Sequence, residues 1–467
     1  MEDVMPINSF ENYPMSWTPE RKKLVPPIYR SIATLLEYDI INGFLAPDTK
    51  LPPQRELADY LDVNLSTITR AFKICEVKGL IYAVIGRGTF VTPNVRNAIF
   101  LEEHLEHNQY IEMGIIKPLD SSNTMVADTI RSIAGKDYLQ NLLDYSHPLG
   151  MPYHRMAARK WIQNFSLDVH VDNIAITSGG QNALTLILAS LFHPGDKIAV
   201  DRYTYPNFIE LANILNIQLV PIEGDDWGML PDRLETACGM NTIRGIYLVP
   251  SCNNPTAVMM DTKRRQEIAN VIKRNNLLLI EDDIYAFLAP HYLPVSHWVP
   301  DNFLYISSIA KSLSSGIRVA FLAYANSFKE KLTYAIFNMN IKTSALNAEV
   351  ITELIHTGNA ERIVKEKIAI AKERNNLFQQ YFQICNPHEN PFSFFRWLPL
   401  SGHHGQRQFE ESALAHGIRV YHSDRFSTKK DESSQFVRIS LTSPNDITEL
   451  NEGLRLLKRL LNEGKNA

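Results

Sequence analysis

Cysteine is scarce: four residues, Cys75, Cys238, Cys252 and Cys385, stand far apart in a chain of 467. None forms a CxxC pair and the histidines do not cluster. A disulfide framework and a structural zinc site are therefore excluded as organising devices, no metal is expected, and a reducing cytoplasm fits. Long apolar runs are missing too. The longest, ALTLILASLF at 183–192, is about half a membrane span and reads as a buried helix. The N-terminus, MEDVMPINSF, is acidic and proline-bearing and lacks the apolar core of a signal peptide. A soluble, cytoplasmic protein with no membrane partner is expected. Positive charge is not in excess either: the net charge is −4, so the whole chain does not advertise nucleic-acid binding, although a whole-chain sum hides a small module. Internal repeats and low-complexity tracts are absent. What remains is 45% hydrophobic and 21% charged residues, an ordinary globular balance. The length calls for two or three domains.

The first part of the chain reads as helix, helix, turn, helix and hairpin. Pro26-Pro27 open a run in which Ile28, Ile32, Leu35, Leu36 and Ile40 fall at helical spacing, and Gly43 ends it. LPPQRELADYLDV is a short helix with proline at its start and Leu57 and Leu61 on one face. Asn64 is placed to cap a third helix that turns Ile68, Phe72 and Cys75 inward and closes at Gly79. LIYAVI and TFV flank Gly86-Arg87-Gly88, a tight hairpin. This is the order of a winged helix-turn-helix, whose second helix enters the major groove of double-stranded DNA. Asn64, Ser66, Thr67, Thr69 and Arg70 are then the candidate DNA-contacting residues. Arg55 is set to reach a phosphate, and Arg87 with Gly88 lies at a hairpin tip that suits a minor groove. Charge barely argues for this: Lys50 to Val91 holds six basic and four acidic residues, a net of +2.

No strong pattern follows until about Leu119, and 93–118 reads as a linker. From there strand-like runs alternate with helical ones: IAITS with QNALTLILASLF, KIAVD with PNFIELANIL, GIYLVP with KRRQEIANVIKR, then LLLIED, LYISSIA and RVAFLAYA. That alternation predicts a mainly parallel sheet wrapped by helices, an α/β domain over 119–467. From about 360 the mixture of helices with FSFFRWL, IRVYHS and FVRISLT predicts a smaller α+β lobe. Three places carry chemistry. SGGQNAL puts the amides of Gly179, Gly180 and Gln181 at a helix start, where a phosphate is held. LIEDDIY puts Asp282 and Tyr285 at the carboxyl end of a strand, where open α/β sheets bind ligands. SSIAKSLSSGIR puts Lys311 after another buried strand, between Ser308 and Arg318. Singly each is weak: glycine pairs are usually turns, an EDD usually a solvated cap, and a lone lysine usually a surface residue.

Jointly they resemble known families. Leu51 to Val91 closely resembles the GntR regulators, whose pattern is L-P-[PS]-x-R-E-L-A, then T-[VIL]-x-[RK]-A, G-L-[IL] and G-x-G-T-[FY]-V. Leu65 departs from it, standing where many members carry an arginine beside the base edges. Gly180-Gln181, Tyr205, Asn254-Pro255-Thr256, Asp282-x-x-Tyr285, Ser308-x-x-Lys311 and Arg318 resemble fold-type I aminotransferases in order and spacing. So does SHPLGMPYHR. The second resemblance covers roughly 143–460 and implies pyridoxal 5'-phosphate as cofactor. It implies that Lys311 forms the internal aldimine and Asp282 pairs with the pyridinium nitrogen. Tyr205 would stack on the ring, and Asn254 and Tyr285 bond the ring oxygen. Gly180, Gln181, Ser308 and Arg318 would hold the phosphate, and Arg438 an amino-acid carboxylate. Ala257 replaces the usual glycine after NPT, Ser315 replaces a proline, and ENPFSFFRWL lacks the paired glycines that often precede the tryptophan. Together the two halves resemble the MocR group. That implies a homodimer, a DNA operator as partner, and an amine or amino-acid effector read as an external aldimine. Two other functions stay open: a working aminotransferase with an accessory DNA-binding module, and a regulator that has lost the cofactor. The last is disfavoured because every major cofactor group is present.

Overall fold

The computed structural model describes residues 15–463, apart from 42–43, 47, 85, 93–109, 384–385, 401–405 and 429–434. Two compact units divide the chain, Met1–Asn108 and Gln109–Ala467. The expected end of the first helix at Gly43, the inner part of the 93–118 linker and Cys385 lie outside the described residues.

In the first unit, α1 (Ile28–Ile41), α2 (Gln54–Leu61) and α3 (Leu65–Val77) pack together beside a hairpin of β1 (Ile81–Val84) and β2 (Gly88–Val91). Their apolar stripes meet in one core of Ile32, Leu36, Ile40, Leu57, Leu61, Ile68, Phe72 and Cys75, all buried. Burial pushes the Cys75 thiol up to about 12, so it behaves as a small hydrophobe. The hairpin register pairs Val84 with Gly88. Gly86 and Gly88 take φ of 74° and 116°, which lets the turn close.

The second unit opens with β3 (Ile111–Glu112) and continues through β4 (Ile174–Thr177), α4 (Gly180–Leu191), β5 (Lys197–Asp201), α5 (Pro206–Ile214), β6 (Gln218–Ile222), β7 (Ile243–Leu248), β8 (Leu278–Asp282), β9 (Phe303–Ser308), α6 (Ile309–Ser312), β10 (Ala320–Tyr324), α7 (Asn359–Tyr381), β11 (Phe395–Pro399), β12 (Ile418–Arg419), β13 (Tyr421–His422), β14 (Phe436–Ser440) and α8 (Ile447–Glu463). Seven strands form one sheet in the order β4-β10-β9-β8-β7-β5-β6. Only β10 runs antiparallel to its neighbours. Helices cover both faces, which is why β4, β8, β9 and β10 are buried at every residue and read as continuous apolar runs. The sheet is thus mixed rather than uniformly parallel, an α/β PLP-dependent transferase fold of type I. A second sheet, β11-β14-β13, forms the smaller α+β lobe. Its core is closed by α8, with Leu450, Leu454, Leu457 and Leu460 on one buried stripe.

Residues 110–118 differ from the linker expectation. β3 pairs in parallel with β12, and Met113 is fully buried. The segment belongs to the small lobe; two paired residues are too short to leave a period in the sequence. Among the described residues no helix is long and apolar enough to cross a membrane, and no group of three His, Cys, Asp or Glu side chains is placed to hold a metal.

Candidate cofactor site and nucleic-acid interface

The groups singled out in the large unit converge at the carboxyl ends of the central strands. β4 ends at Thr177 and turns sharply into α4. Gly179, φ 94°, caps that helix. A Cβ built on Gly179 would stand 2.8 Å from Arg318 Nη2, and one on Gly180 would stand 3.3 Å from Ser308 Cβ. Gly179 is favoured by its positive φ and Gly180 packs tightly on Ser308, so Arg318 and Ser308 line the same helix N-terminus. The helix dipole, a guanidinium and a hydroxyl make a cradle for a dianion. Arg318 itself sits at φ 54° and is exposed. Gln181 donates through Nε2 to Asn207 O at 3.5 Å, while its buried Oε1 lacks a partner. Ser308 caps α6, its Oγ accepting from Ala310 N at 3.5 Å, and α6 carries Lys311.

Asp282 ends β8, 6% exposed. Its Oδ2 accepts from Tyr247 Oη at 3.0 Å, whereas Oδ1 is buried without a partner. Burial raises its carboxyl to about 7; the Tyr247 bond opposes this and Asp283 adds to it. An orphaned carboxylate oxygen in such a place calls for a cationic donor. Tyr205, at the start of α5, has a hydroxyl raised to about 12 by burial and by Asp282, with Arg318 and Arg438 opposing. Those couplings place its ring among the same charges. Tyr285 is buried against Phe394 and Phe395.

Arg438, on β14, is buried with its guanidinium 4.6 Å from the Phe426 ring. Nη1 donates to Asn254 Oδ1 at 2.8 Å, Nη2 donates to Gly114 O, and Nε has no partner. Burial lowers its pKa to about 10, with Tyr421, Tyr285 and Tyr205 opposing. Lys311 Nζ donates to Ile116 O. All the sequence-predicted groups of this half, Gly179, Gly180, Gln181, Tyr205, Asn254, Asp282, Tyr285, Ser308, Lys311, Arg318 and Arg438, belong to this one region. Sequence reasoning missed Tyr247, Gly114 and Ile116. A lone glycine inside the apolar stretch YIEMGII was the available signal for Gly114, since such glycines mark close backbone approach.

The donor set fits pyridoxal phosphate: an unpartnered buried carboxylate oxygen for the pyridinium, a glycine-floored cradle for the phosphate, and a lysine on the short helix that Ser308 caps. When bound, the cofactor would supply an electrophilic aldehyde and an electron sink.

In the small unit, Arg55, Asn64, Ser66, Thr69, Arg70, Arg87 and Gly88 are exposed and Thr67 is half-buried. Asn64 occupies the cap of α3 but its side chain makes no capping bond; its carbonyl accepts from Thr67 N at 2.8 Å instead. The side chain stays available to an outside partner. Thr69 Oγ1 donates to Gln54 Oε1 at 2.8 Å, tying α3 to α2. The Arg70 guanidinium lies 4.9 Å from the Tyr29 ring centroid, which steadies it over α1. Leu65 is 41% exposed among these polar groups.

Comparison with known proteins agrees with both halves. Residues 109–454 match the family of aminotransferase class I and II, and residues 28–91 match bacterial regulatory proteins of the gntR family. The chain is 39% identical over 460 residues to the HTH-type transcriptional regulator YdeF of Bacillus subtilis, covering 98% of this chain and 100% of that one. It is 26% identical over 418 residues to the vitamin B6 salvage pathway transcriptional repressor PtsJ of Salmonella typhimurium, covering 88% and 93%. The fold resembles Pyrococcus horikoshii kynurenine aminotransferase, with TM-score 0.72, 22% identity, and 79% and 94% of the two chains covered. It also resembles the multiple substrate aminotransferase of Thermococcus profundus, with TM-score 0.71, 20% identity, and 79% and 95% covered. A GntR helix-turn-helix followed by an aminotransferase fold over nearly the full length of a transcriptional regulator leaves one assignment: the chain belongs to the MocR-type regulators of the GntR family.

Proposed function

We propose that this regulator uses pyridoxal phosphate, held by its aminotransferase-like unit, to sense an amino acid or amine and thereby to set its grip on a DNA operator. The observation that carries the reading is Asp282 Oδ1, a buried carboxylate oxygen with no partner at the end of β8. Leaving such an atom unpaired is costly, and a protonated pyridine nitrogen is the partner it suits. Lys311 would hold the cofactor, Tyr205 and Asn254 flank its ring, and Gly179, Gly180, Gln181, Ser308 and Arg318 receive its phosphate. Arg438 would take an effector carboxylate. Two names support the reading: the PtsJ relative is a repressor of a vitamin B6 salvage pathway, and the Pyrococcus enzyme was crystallised with PMP. The protein would act in the cytoplasm.

A homodimer is part of the proposal. Leu143, Tyr145, Phe337, Met339 and Ile341 are exposed apolar side chains on two segments that Lys342 joins by donating to Asp144 O. A second copy would cover them; sedimentation at rising concentration tests this, a monomer throughout rejecting it.

The reading is tested by titrating purified protein with pyridoxal phosphate, trapping with borohydride and locating the added mass. It expects modification at Lys311 and a change in DNA affinity when an amine is added. A second reading, a working aminotransferase, is favoured by the retention of both Lys311 and Arg438. Full conversion of the bound cofactor to its amine form by an amino acid, with rapid return on adding a keto acid, would select it.

A further inference from the structure

Residues 113–117 form a ribbon that follows β3 and bends at Gly114 and Ile115, whose amides both donate to Glu112 Oε1, and the carbonyls of 114–117 find their partners in turn on two different sets of side chains. Ile115 O accepts from Ser443 Oγ and Lys117 O from Thr442 Oγ1 at 2.6 Å, both on the small lobe. Gly114 O accepts from Arg438 and Ile116 O from Lys311. The ribbon therefore holds the two site residues by alternate carbonyls and the lobe by the others. Gly114 is required there, because a Cβ would stand 2.9 Å from the Tyr421 ring. The same ribbon begins where the chain, arriving from the DNA-binding unit, enters the large unit at Tyr110.

We infer that segment 113–117 is a strap that the ligand-free site holds by its backbone, and that it is released in two steps by two different chemical groups. The inference rests on the roles proposed above for Lys311 and Arg438. Taking Lys311 into a covalent bond with the cofactor removes the donor from Ile116 O. A carboxylate gripping Arg438 sideways needs Nε, which has no partner, and Nη2, which donates to Gly114 O. It must displace that carbonyl to form a two-pronged contact. A plain amine has nothing to offer Arg438 and leaves Gly114 O in place. The site thereby discriminates α-amino acids from the corresponding amines by strap position. Effectors that switch the regulator fully are then carboxylate-bearing amines. Release of the strap is then the change to which DNA affinity responds.

The experiment is amide hydrogen exchange of the peptide spanning 110–118 in the full-length protein, alone, with pyridoxal phosphate, and with pyridoxal phosphate plus matched pairs. L-alanine is set against ethylamine and L-phenylalanine against phenethylamine, each added until the visible absorbance of the bound cofactor stops changing. Exchange should rise on cofactor binding and rise again, severalfold or more, with the amino acids only. Equal exchange with acid and amine, both at saturation, overturns the strap while leaving cofactor sensing intact. If absorbance never responds to any amine, the sensing reading itself falls and the strap with it. Ser443→Ala gives an independent check, and Thr442→Val does so if that variant fails to fold. Either should raise exchange at 110–118 without amino acid and move DNA affinity of the cofactor-loaded protein toward its effector-bound value. Exchange raised with DNA affinity unmoved would overturn the proposed link to the operator.

Discussion

The two units place their functional groups in opposite surroundings. In the winged helix nearly all the groups offered to a partner are exposed, and the buried residues are a plain apolar core. In the large unit the working groups are themselves buried. Asp282 and Arg438 are almost inaccessible, and their ionisation is shifted toward the neutral form by that burial. The difference teaches what each surface is for. A long anionic duplex is met by solvated donors whose charge is never in doubt. A small cofactor is met by groups left incomplete until it arrives.

Lys311→Ala should produce the largest effect and divide the units cleanly. Covalent capture of pyridoxal phosphate, read by mass after borohydride, should vanish, and so should every response to amines. Operator binding itself should survive, since the candidate DNA-contacting residues lie in the other unit. Loss of DNA binding in that variant would break the comparison.

Asp282→Ala removes one charged hydrogen bond to the cofactor, worth about 1.5–3 kcal/mol, so affinity should fall roughly ten- to hundredfold. The same carboxyl gives a pH signature. Its folded value, about 7, lies above its ordinary 3.8, so the folded state binds more protons than the unfolded one between those values. Stability of the cofactor-free protein should therefore decrease as pH rises from about 4 to about 7. Asp282→Asn should flatten that fall in thermal melts, and a melt profile unchanged by the substitution would contradict the burial argument.

On the exposed side, Arg70→Ala or Arg87→Ala should weaken DNA binding about uniformly across sequences and reduce the salt slope by roughly one unit each. Asn64→Ala or Ser66→Ala should instead alter which sequences are preferred. A selection from random duplexes under two salt concentrations separates the two behaviours. The smallest expected effect is Ala257→Gly. Ala257 is buried at φ 61°, a left-handed conformation that costs an L side chain about 1–2 kcal/mol. Glycine, the usual residue there in the family it resembles, should raise stability by about 1 kcal/mol in denaturant unfolding.

Much of both units was legible in the sequence because their signals are local. Helical stripes, the Gly86-Arg87-Gly88 turn, the strand-end position of Asp282, Lys311 just after a strand and Arg438 on a late strand all sit within short windows. What escaped depends on distant pairs. Tyr247 reaches Asp282 from the neighbouring strand β7, and Gly114 reaches Arg438 across 324 positions of chain. Ribbon 113–117 has no period to reveal it, since most of its partners are side chains from distant segments rather than a long ladder. The cap of α3 was legible as a position but not as a bond: Asn64 stands there, and its side chain points its chemistry elsewhere.

The account's central claim is that the buried site controls the exposed one. The most direct measurement is fluorescence anisotropy of a selected operator duplex titrated with pyridoxal phosphate-loaded protein, before and after saturation with an amino acid, saturation being followed by cofactor absorbance. The account predicts that the two binding curves separate by fivefold or more, within the usual range of coupling between sites. Superimposable curves at full saturation would contradict it.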